Sequence, residues 1–149
     1  MQTSAEVICH SRKHFEAAFD VAREQARWVT ILVRTAPGAA AYAGALYLWS
    51  AAQSAKQSPS EPKFVVVDCE DDPSLVLAAL RVGWINFAFK GGPTTHKKVC
   101  QIVHQNGGSI IQIDQNPVLD LINIPAPAEH LRAWLETLDS GTLKIKEKN

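Results

Sequence analysis

The sequence predicts one α/β domain, built as a three-layer α/β/α sandwich around a mainly parallel, five-stranded sheet. The first observation is the apolar run at 64–67, which ends in Asp68 and further acids and precedes Pro73, a residue suited to the first turn of a helix. The second is that the same order of apolar run, polar end and helical pattern recurs along the chain. The third is size, because 149 residues with 46% hydrophobic side chains can bury the core of one domain.

Five short apolar runs, rich in β-branched and aromatic residues, predict the strands. Such residues suit a parallel sheet that is buried on both faces. Each run ends in polar or charged residues, which indicates one polar edge of the sheet. In chain order, the predicted strands are 7–9, 28–33, 64–68, 85–89 and 109–113.

Apolar residues at three- and four-residue steps predict four helices between these strands. Ser11 is placed to cap the first helix and Asp72 to cap the third, while Gly83 is expected to end the third in a left-handed conformation. A surface loop with two prolines is predicted at 57–62. The predicted helices are at about 15–26, 39–56, 73–82 and 94–106.

The pattern changes towards the C-terminus. Residues 116–127 form a proline-containing arm, in which the apolar piece at 118–124 is expected to pack either as an edge strand or as an extended arm. A final amphipathic helix is predicted at 128–139, and 142–149 is predicted to be a flexible tail. The predicted single domain is therefore 1–141.

Composition argues against several classes of partner. Fifteen basic and fifteen acidic side chains give a net charge of zero, which does not favour a nucleic-acid partner. Cys9, Cys69 and Cys100 are widely spaced, so we expect no disulfide framework and a cytoplasmic location. No signal peptide is recognised, and the longest apolar run, 39–49, is shorter than the roughly 20 residues that span a bilayer, so no membrane partner is expected.

The carboxyl ends of the predicted strands supply the candidate site, because open parallel sheets bind ligands beyond those ends. His10 and Arg34 follow the first two strands, and polar residues likewise follow the other three. The alternative is that strands simply end in polar residues where helices do not cover the sheet. The candidate residues for a small anionic ligand are Arg34, Thr35, Gly38, Lys90, Gly91 and Asp114, and the catalytic candidates are Asp68, Lys90 and His10.

Two of these loops precede helices. The segments 35–38 and 90–93, Thr-Ala-Pro-Gly and Lys-Gly-Gly-Pro, could present backbone N–H groups to a phosphate or carboxylate. The alternative is that their glycines serve only loop geometry. Neither Gly-x-Gly-x-x-Gly nor Gly-Lys-Ser/Thr is present, and we predict no cofactor.

No metal site is predicted either. The acids within 68–72 suit Mg²⁺, but consecutive residues of an extended chain point in opposite directions, so too few oxygens converge. His96, Cys100 and His104 share one face of the fourth helix. A structural zinc site needs four ligands, and neighbouring lysines disfavour a cation there.

The second predicted helix, 39–56, is apolar on nearly all sides over its first half, whereas a surface helix of a monomer has a polar face. Aromatic residues are favoured at protein interfaces, so we expect a homodimer through this helix. The alternative is burial against the C-terminal segment. The predicted interface residues are Tyr42, Leu46, Tyr47 and Trp49.

The alternation of strands and helices resembles flavodoxin-like folds, and response-regulator receiver domains among them. The segment 78–83, Ala-Ala-Leu-Arg-Val-Gly, followed by a strand and Lys90, is similar to the last helix–strand step of receivers. This pattern does not identify a family, and the flavodoxin- or receiver-like sheet is an expectation about the fold. The receiver signature departs at the first strand, which ends in Cys9 and His10 instead of acids, so no working phosphoacceptor is expected.

These features predict a non-catalytic, receiver-like regulatory or interaction module that dimerises and binds a small anionic ligand. The alternative is a small cytoplasmic enzyme, either lyase- or aldolase-like or acting on a phosphorylated metabolite. Lys90 would be its electrophile or Schiff-base donor, Asp68 its acid–base group and Arg34 its anion anchor. A third hypothesis is a subunit whose site a partner completes. A buried Lys90 facing Asp68 favours the enzyme, and a solvated Lys90 favours the module.

Overall fold

The computed structural model describes residues 3–56 and 65–147, with side chains described as far as residue 139. The proline-containing loop predicted at 57–62 lies outside the described residues, as does the predicted first residue of the third strand, Phe64. The described elements, in chain order, are β1 (Thr3–Ile8), α1 (Arg12–Glu24), β2 (Val29–Arg34), a π-helical turn (Ala40–Gly44), α2 (Ala45–Ala55), β3 (Val65–Asp68), α3 (Pro73–Val82), β4 (Asn86–Ala88), α4 (Pro93–Gln105), β5 (Ser109–Ile110), β6 (Val118–Asp120) and α5 (Pro127–Glu147).

The predicted α/β class with a parallel sheet is confirmed. The described strands number six, one more than predicted, and they form one sheet with parallel pairing throughout in the order β5-β4-β3-β2-β1-β6. The additional strand is β6, which lies within the proline-containing arm and pairs with β1 at the sheet edge. Pro117 precedes β6 and accepts a hydrogen bond from Glu6 N–H through its carbonyl, as an edge position allows.

The strand order places the helices on one face. From β1 to β5 each crossover moves to the next strand in the same direction, and right-handed crossovers then put successive helices on the same face. Accordingly α1 contacts both α2 and α5, α2 contacts α3, and α3 contacts α4. This consecutive order differs from the flavodoxin order 2-1-3-4-5.

The third layer is a chain segment without helices. Residues 111–117 lead from β5, at one edge, to β6, at the other, and Ile113 packs with Val66 and Ala88 in a small buried cluster that contains no helical residue. Alternation along β3 explains the two clusters, because Val65 and Val67 point to the helices while Val66 points to the opposite face. The main core lies on the helical face.

The predicted helix ends are largely present. Ser11 accepts a hydrogen bond from His14 N–H at the start of α1, and Asp72 accepts one from Ser74 N–H at the start of α3. Gly83 ends α3 with φ of +121°, and Trp49 lies 2.7 Å from the position that a Cβ atom would take there. Only glycine fits this close approach at positive φ.

Several bounds differ from the predictions for local reasons. The helix predicted at 39–56 begins with the π-helical turn and breaks at Gly44, whose φ of +90° suits a residue without a Cβ atom. β5 is only two residues long, since the chain turns across the sheet after it. α5 is longer than the predicted 128–139 and continues to Glu147.

Candidate functional site

The carboxyl edge of the sheet brings some of the predicted site residues together. Arg34 Nη2 lies 2.8 Å from Asp114 Oδ1, and Lys90 Nζ lies 3.5 Å from Asp114 Oδ2. Asp114 reaches this edge because the segment at 111–117 carries it over the sheet towards β1. Its backbone has φ of +63°, which an aspartate tolerates better than most residues.

Glu6, which the sequence did not single out, organises this group. Its carboxylate is fully buried and accepts hydrogen bonds of 2.9–3.1 Å from the N–H groups of three consecutive residues, 114–116. Its Oε1 also lies 3.1 Å from Nε of Arg34, whose side chain is 2% exposed. A buried carboxylate needs several such partners to offset its desolvation. The sequence carries little signal for this role, because Glu6 follows Thr3, Ser4 and Ala5 and precedes the apolar run at 7–9.

Arg34 therefore serves mainly to stabilise the fold and is not exposed in an open binding site. Its guanidinium is held between Glu6 and Asp114, and Nη1 reaches the carbonyl of Thr35 at 3.5 Å. The Nε atom has no hydrogen bond of good geometry within the described residues, although Glu6 is close by. Two carboxylates neutralise this cation, so it has little charge left to attract an anion.

Thr35 and Asp68 also hold the loops at this edge. Asp68 N–H donates to Thr35 Oγ1 at 2.9 Å, and Glu70 N–H donates to Asp68 Oδ1 at 2.8 Å. Glu70 adopts φ of +49°, and its carboxylate lies 3.2 Å from where a Cβ atom would be on Gly38. Thr35 thus holds the end of β3 through Asp68, and a side chain at position 38 would crowd Glu70.

An open cleft of about 360 Å³ lies beside this loop. The cleft is lined by Pro37, Asp68, Glu70, Asp71, Lys90 and Asp114. Four of these six residues are acids, and Lys90 is 66% exposed and paired with Asp114, so the charge balance does not favour an anion. Gly91 is the next residue after Lys90, and a Cβ atom there would lie 2.4 Å from Cζ of the Phe89 ring. In the part of the chain that the structure describes, no three His, Cys, Asp or Glu side chains converge as metal ligands.

His10 belongs to a second group at the β6 end of the same edge. Its Nε2 lies 2.7 Å from Asp120 Oδ1, and its backbone N–H donates to His14 Nδ1 at 3.0 Å. The two imidazole rings meet edge to face with centroids 5.7 Å apart. Within the described residues, no hydrogen bond or ion pair joins this group to Asp68 or Lys90.

We expect His14 to make the folded state less stable in acid. Burial lowers the pKa of His14 below 6.5, and the neighbouring His10 lowers it further, while Asp120 opposes both. Because the folded pKa is depressed, the unfolded chain binds this proton first, so stability falls as pH drops below about 6.5. Protonation also removes the Nδ1 acceptor from the His10 N–H group.

Urea unfolding at about pH 7.5 and about pH 5.5 measures this effect. A His14→Gln variant should show a smaller loss of stability between the two conditions than the unmodified chain. His104→Gln, at an exposed position on α4, is the matched control and should retain the full loss. Equal losses in the chain and in its His14→Gln variant would contradict the assignment.

The predicted interface residues divide into two sets. Tyr42, Leu46 and Tyr47 are 66%, 62% and 52% exposed. Trp49 instead packs inside the fold against Trp84, with ring centroids 5.3 Å apart. We refer to the first three residues as the apolar surface, and no described residue of the C-terminal segment buries it.

No protein-family model, curated protein or solved structure matches this chain. Within residues 3–56 and 65–147, no helix is both long enough and apolar enough to cross a bilayer.

Proposed function

We propose that this chain is a non-catalytic α/β regulatory or interaction module that self-associates through the apolar surface. The observation that carries the proposal is the exposure of Tyr42, Leu46 and Tyr47, three large side chains within one short segment. Scattered exposed apolar residues are common, whereas clustered ones, tyrosines above all, mark sites of protein association. A second copy of the chain is the partner predicted from the sequence.

The position of Lys90 supports the non-catalytic side of the proposal. A Schiff-base or electrophilic lysine is normally desolvated, because burial is what makes its amine reactive near neutral pH. Lys90 is two-thirds exposed, and its ion pair is with Asp114. Asp68 directs Oδ1 to the backbone of Glu70, an arrangement that holds a turn. Lys90 therefore lacks the desolvated environment that the enzyme hypothesis requires.

The expected anionic ligand stays a prediction that the local charges do not favour. Arg34 is neutralised by Glu6 and Asp114, and acids outnumber Lys90 around the cleft. The proposal therefore rests on association and not on ligand binding.

We also propose a cytoplasmic location, which suits the three free thiols of the described chain.

The size of the apolar surface indicates a weak association. A fully buried tyrosine or leucine contributes on the order of 150–200 Å², and the three side chains expose 52–66% of their surface. They supply on the order of 300 Å², whereas a stable interface buries about 800 Å² on each partner. Polar neighbours on α2 have to supply the rest, so we expect a reversible dimer with a micromolar or weaker dissociation constant.

A matched pair of variants tests this surface. Leu46→Glu places a charge in the apolar surface and should weaken association, raising the dissociation constant at least about tenfold. Ile102→Glu introduces the same charge at an exposed position on α4 and should leave association unchanged. Light scattering after size-exclusion chromatography, over a range of loading concentrations, gives the mass of each protein.

Circular dichroism establishes that both variants keep the fold. A dimer that survives Leu46→Glu, or one that Ile102→Glu dissociates, would place the interface elsewhere and reject this part of the proposal. A monomer in all three proteins at every concentration would reject self-association itself.

A further inference from the structure

Two side chains on α4, a helix that carries none of the apolar surface, form a thiol–imidazole pair. Cys100 Sγ lies 3.5 Å from His96 Nδ1. The His96 ring stacks on the Phe89 ring, with centroids 6.0 Å apart and planes inclined by 24°, which fixes its orientation. Cα–Cβ bonds in a helix tilt towards its N-terminus, so Cys100 leans towards His96 and away from His104, four residues on its other side.

The other two cysteines lie in unreactive surroundings. Cys9 and Cys69 are fully buried, and all three cysteines are free thiols. Burial raises the pKa of Cys9, and the charge of Asp120 raises it further. Burial, together with nearby acids, raises the pKa of Cys69 to about 12. Cys100 is only partly buried, so it is the thiol that a reagent in solution reaches most easily.

The charges near Cys100 indicate which class of electrophile would react with its thiol. A shallow groove along the outer side of α4 contains Cys100, and its lining includes Lys97 and two histidines but no acid. Lys97 disfavours a divalent cation there and favours an anion. An anionic electrophile that attacks sulfur suits this groove better than a metal ion does.

We propose that Cys100 is a site of covalent modification by anionic disulfides, with His96 as the acceptor of the thiol proton. In the reaction, the proton of the Cys100 S–H group passes to His96 Nδ1, and the thiolate attacks one sulfur atom of the disulfide. A new S–S bond forms while the original one breaks. The departing thiolate takes the electron pair, so Cys100 is oxidised as the leaving sulfur is reduced, and His96 returns its proton to solvent.

Reaction of the folded, full-length chain with dithiobis(nitrobenzoate), a dianionic disulfide, tests the pair, because the released thiolate is measured by its absorbance. We expect one rapid equivalent, which Cys100→Ser removes and Cys69→Ser retains. His96→Gln should lower the second-order rate constant on the order of tenfold. His104→Gln changes a histidine at the same sequence distance from Cys100 and should leave the rate unchanged.

A neutral disulfide, dithiodipyridine, separates proton transfer from charge. Lys97→Gln should slow the anionic reagent about two- to threefold and leave the neutral one unaffected, whereas His96→Gln should slow both. Lys98→Gln, next to Lys97 but outside the groove lining, is the control for net charge. The proposal is overturned if Cys100→Ser retains the rapid equivalent, or if His96→Gln and His104→Gln have equal effects. Equal rates with Lys97→Gln and Lys98→Gln would overturn the preference for anions.

Discussion

Glu6→Ala is expected to lower the free energy of unfolding by about 3–5 kcal/mol, the largest effect we predict for any single substitution. The change removes the acceptor for three backbone N–H groups and takes from the buried guanidinium of Arg34 one of the two carboxylates that flank it. These N–H groups belong to the segment that crosses the sheet, so their loss should also loosen that segment. Equilibrium urea unfolding measures the change.

Glu16→Ala is the matched control for Glu6→Ala. Glu16 accepts a hydrogen bond of 2.7 Å from Arg12 Nε on the exposed side of α1, so it too is an acid paired with an arginine. Because solvent screens an exposed pair, we expect its removal to cost at most about 1 kcal/mol. Similar losses for the two variants would show that burial of Glu6 does not determine its contribution.

Gly108→Ala is expected to lower the free energy of unfolding by about 1–3 kcal/mol. A Cβ atom on Gly108 would lie 2.2 Å from the carbonyl oxygen of Ile85, which is backbone and has no rotamer to relieve the contact. That oxygen accepts a hydrogen bond of 2.8 Å from Ser109 N–H at the start of β5. Any shift that admits the methyl group therefore disturbs the junction of α4, β4 and β5.

Gly92→Ala is the comparison for Gly108→Ala. Gly92 precedes α4, has φ of −63°, and a Cβ atom there would meet no atom within 4 Å. We expect a change within about 0.5 kcal/mol, measured by the same urea titration. If Gly108→Ala is as mild as Gly92→Ala, the packing of Ile85 against Gly108 is looser than the structure indicates.

Local sequence patterns predicted most of the fold. β-branched runs predicted the strands of the central sheet, and apolar steps with caps such as Ser11 and Asp72 located the helices. The sequence did not decide whether the apolar piece at 118–124 forms an edge strand or an extended arm. The strand has only three residues, and a proline-containing segment of that length carries too little periodicity to distinguish the two. Its pairing with β1 depends on a long-range contact that no local pattern contains.

The candidate site was only partly predictable for the same reason. The strand order decides which strand ends are neighbours, so a list of polar residues at strand ends does not show which of them meet. Arg34 was predicted to be an anion anchor because its partner Glu6 is distant in sequence and lies just before the predicted strand 7–9. Its second partner, Asp114, lies in the segment 111–117, which crosses the sheet after β5.

The sequence also could not predict which side chains of the second helix are exposed. A helix that is apolar on nearly all sides does not reveal which of its sides the rest of the chain covers. Trp49 turned out to face Trp84 and the core, whereas Tyr42, Leu46 and Tyr47 face solvent. Gly44, with its positive φ, changes the direction of the chain within this segment, and helical periodicity does not predict such a break.

The most direct test of self-association is sedimentation equilibrium of the unmodified chain from about 1 µM to about 500 µM, a range that brackets the expected dissociation constant. We predict a mass that rises with concentration from 16.3 kDa towards twice that value. A mass that stays at 16.3 kDa across the whole range would contradict self-association and leave the apolar surface without its proposed partner.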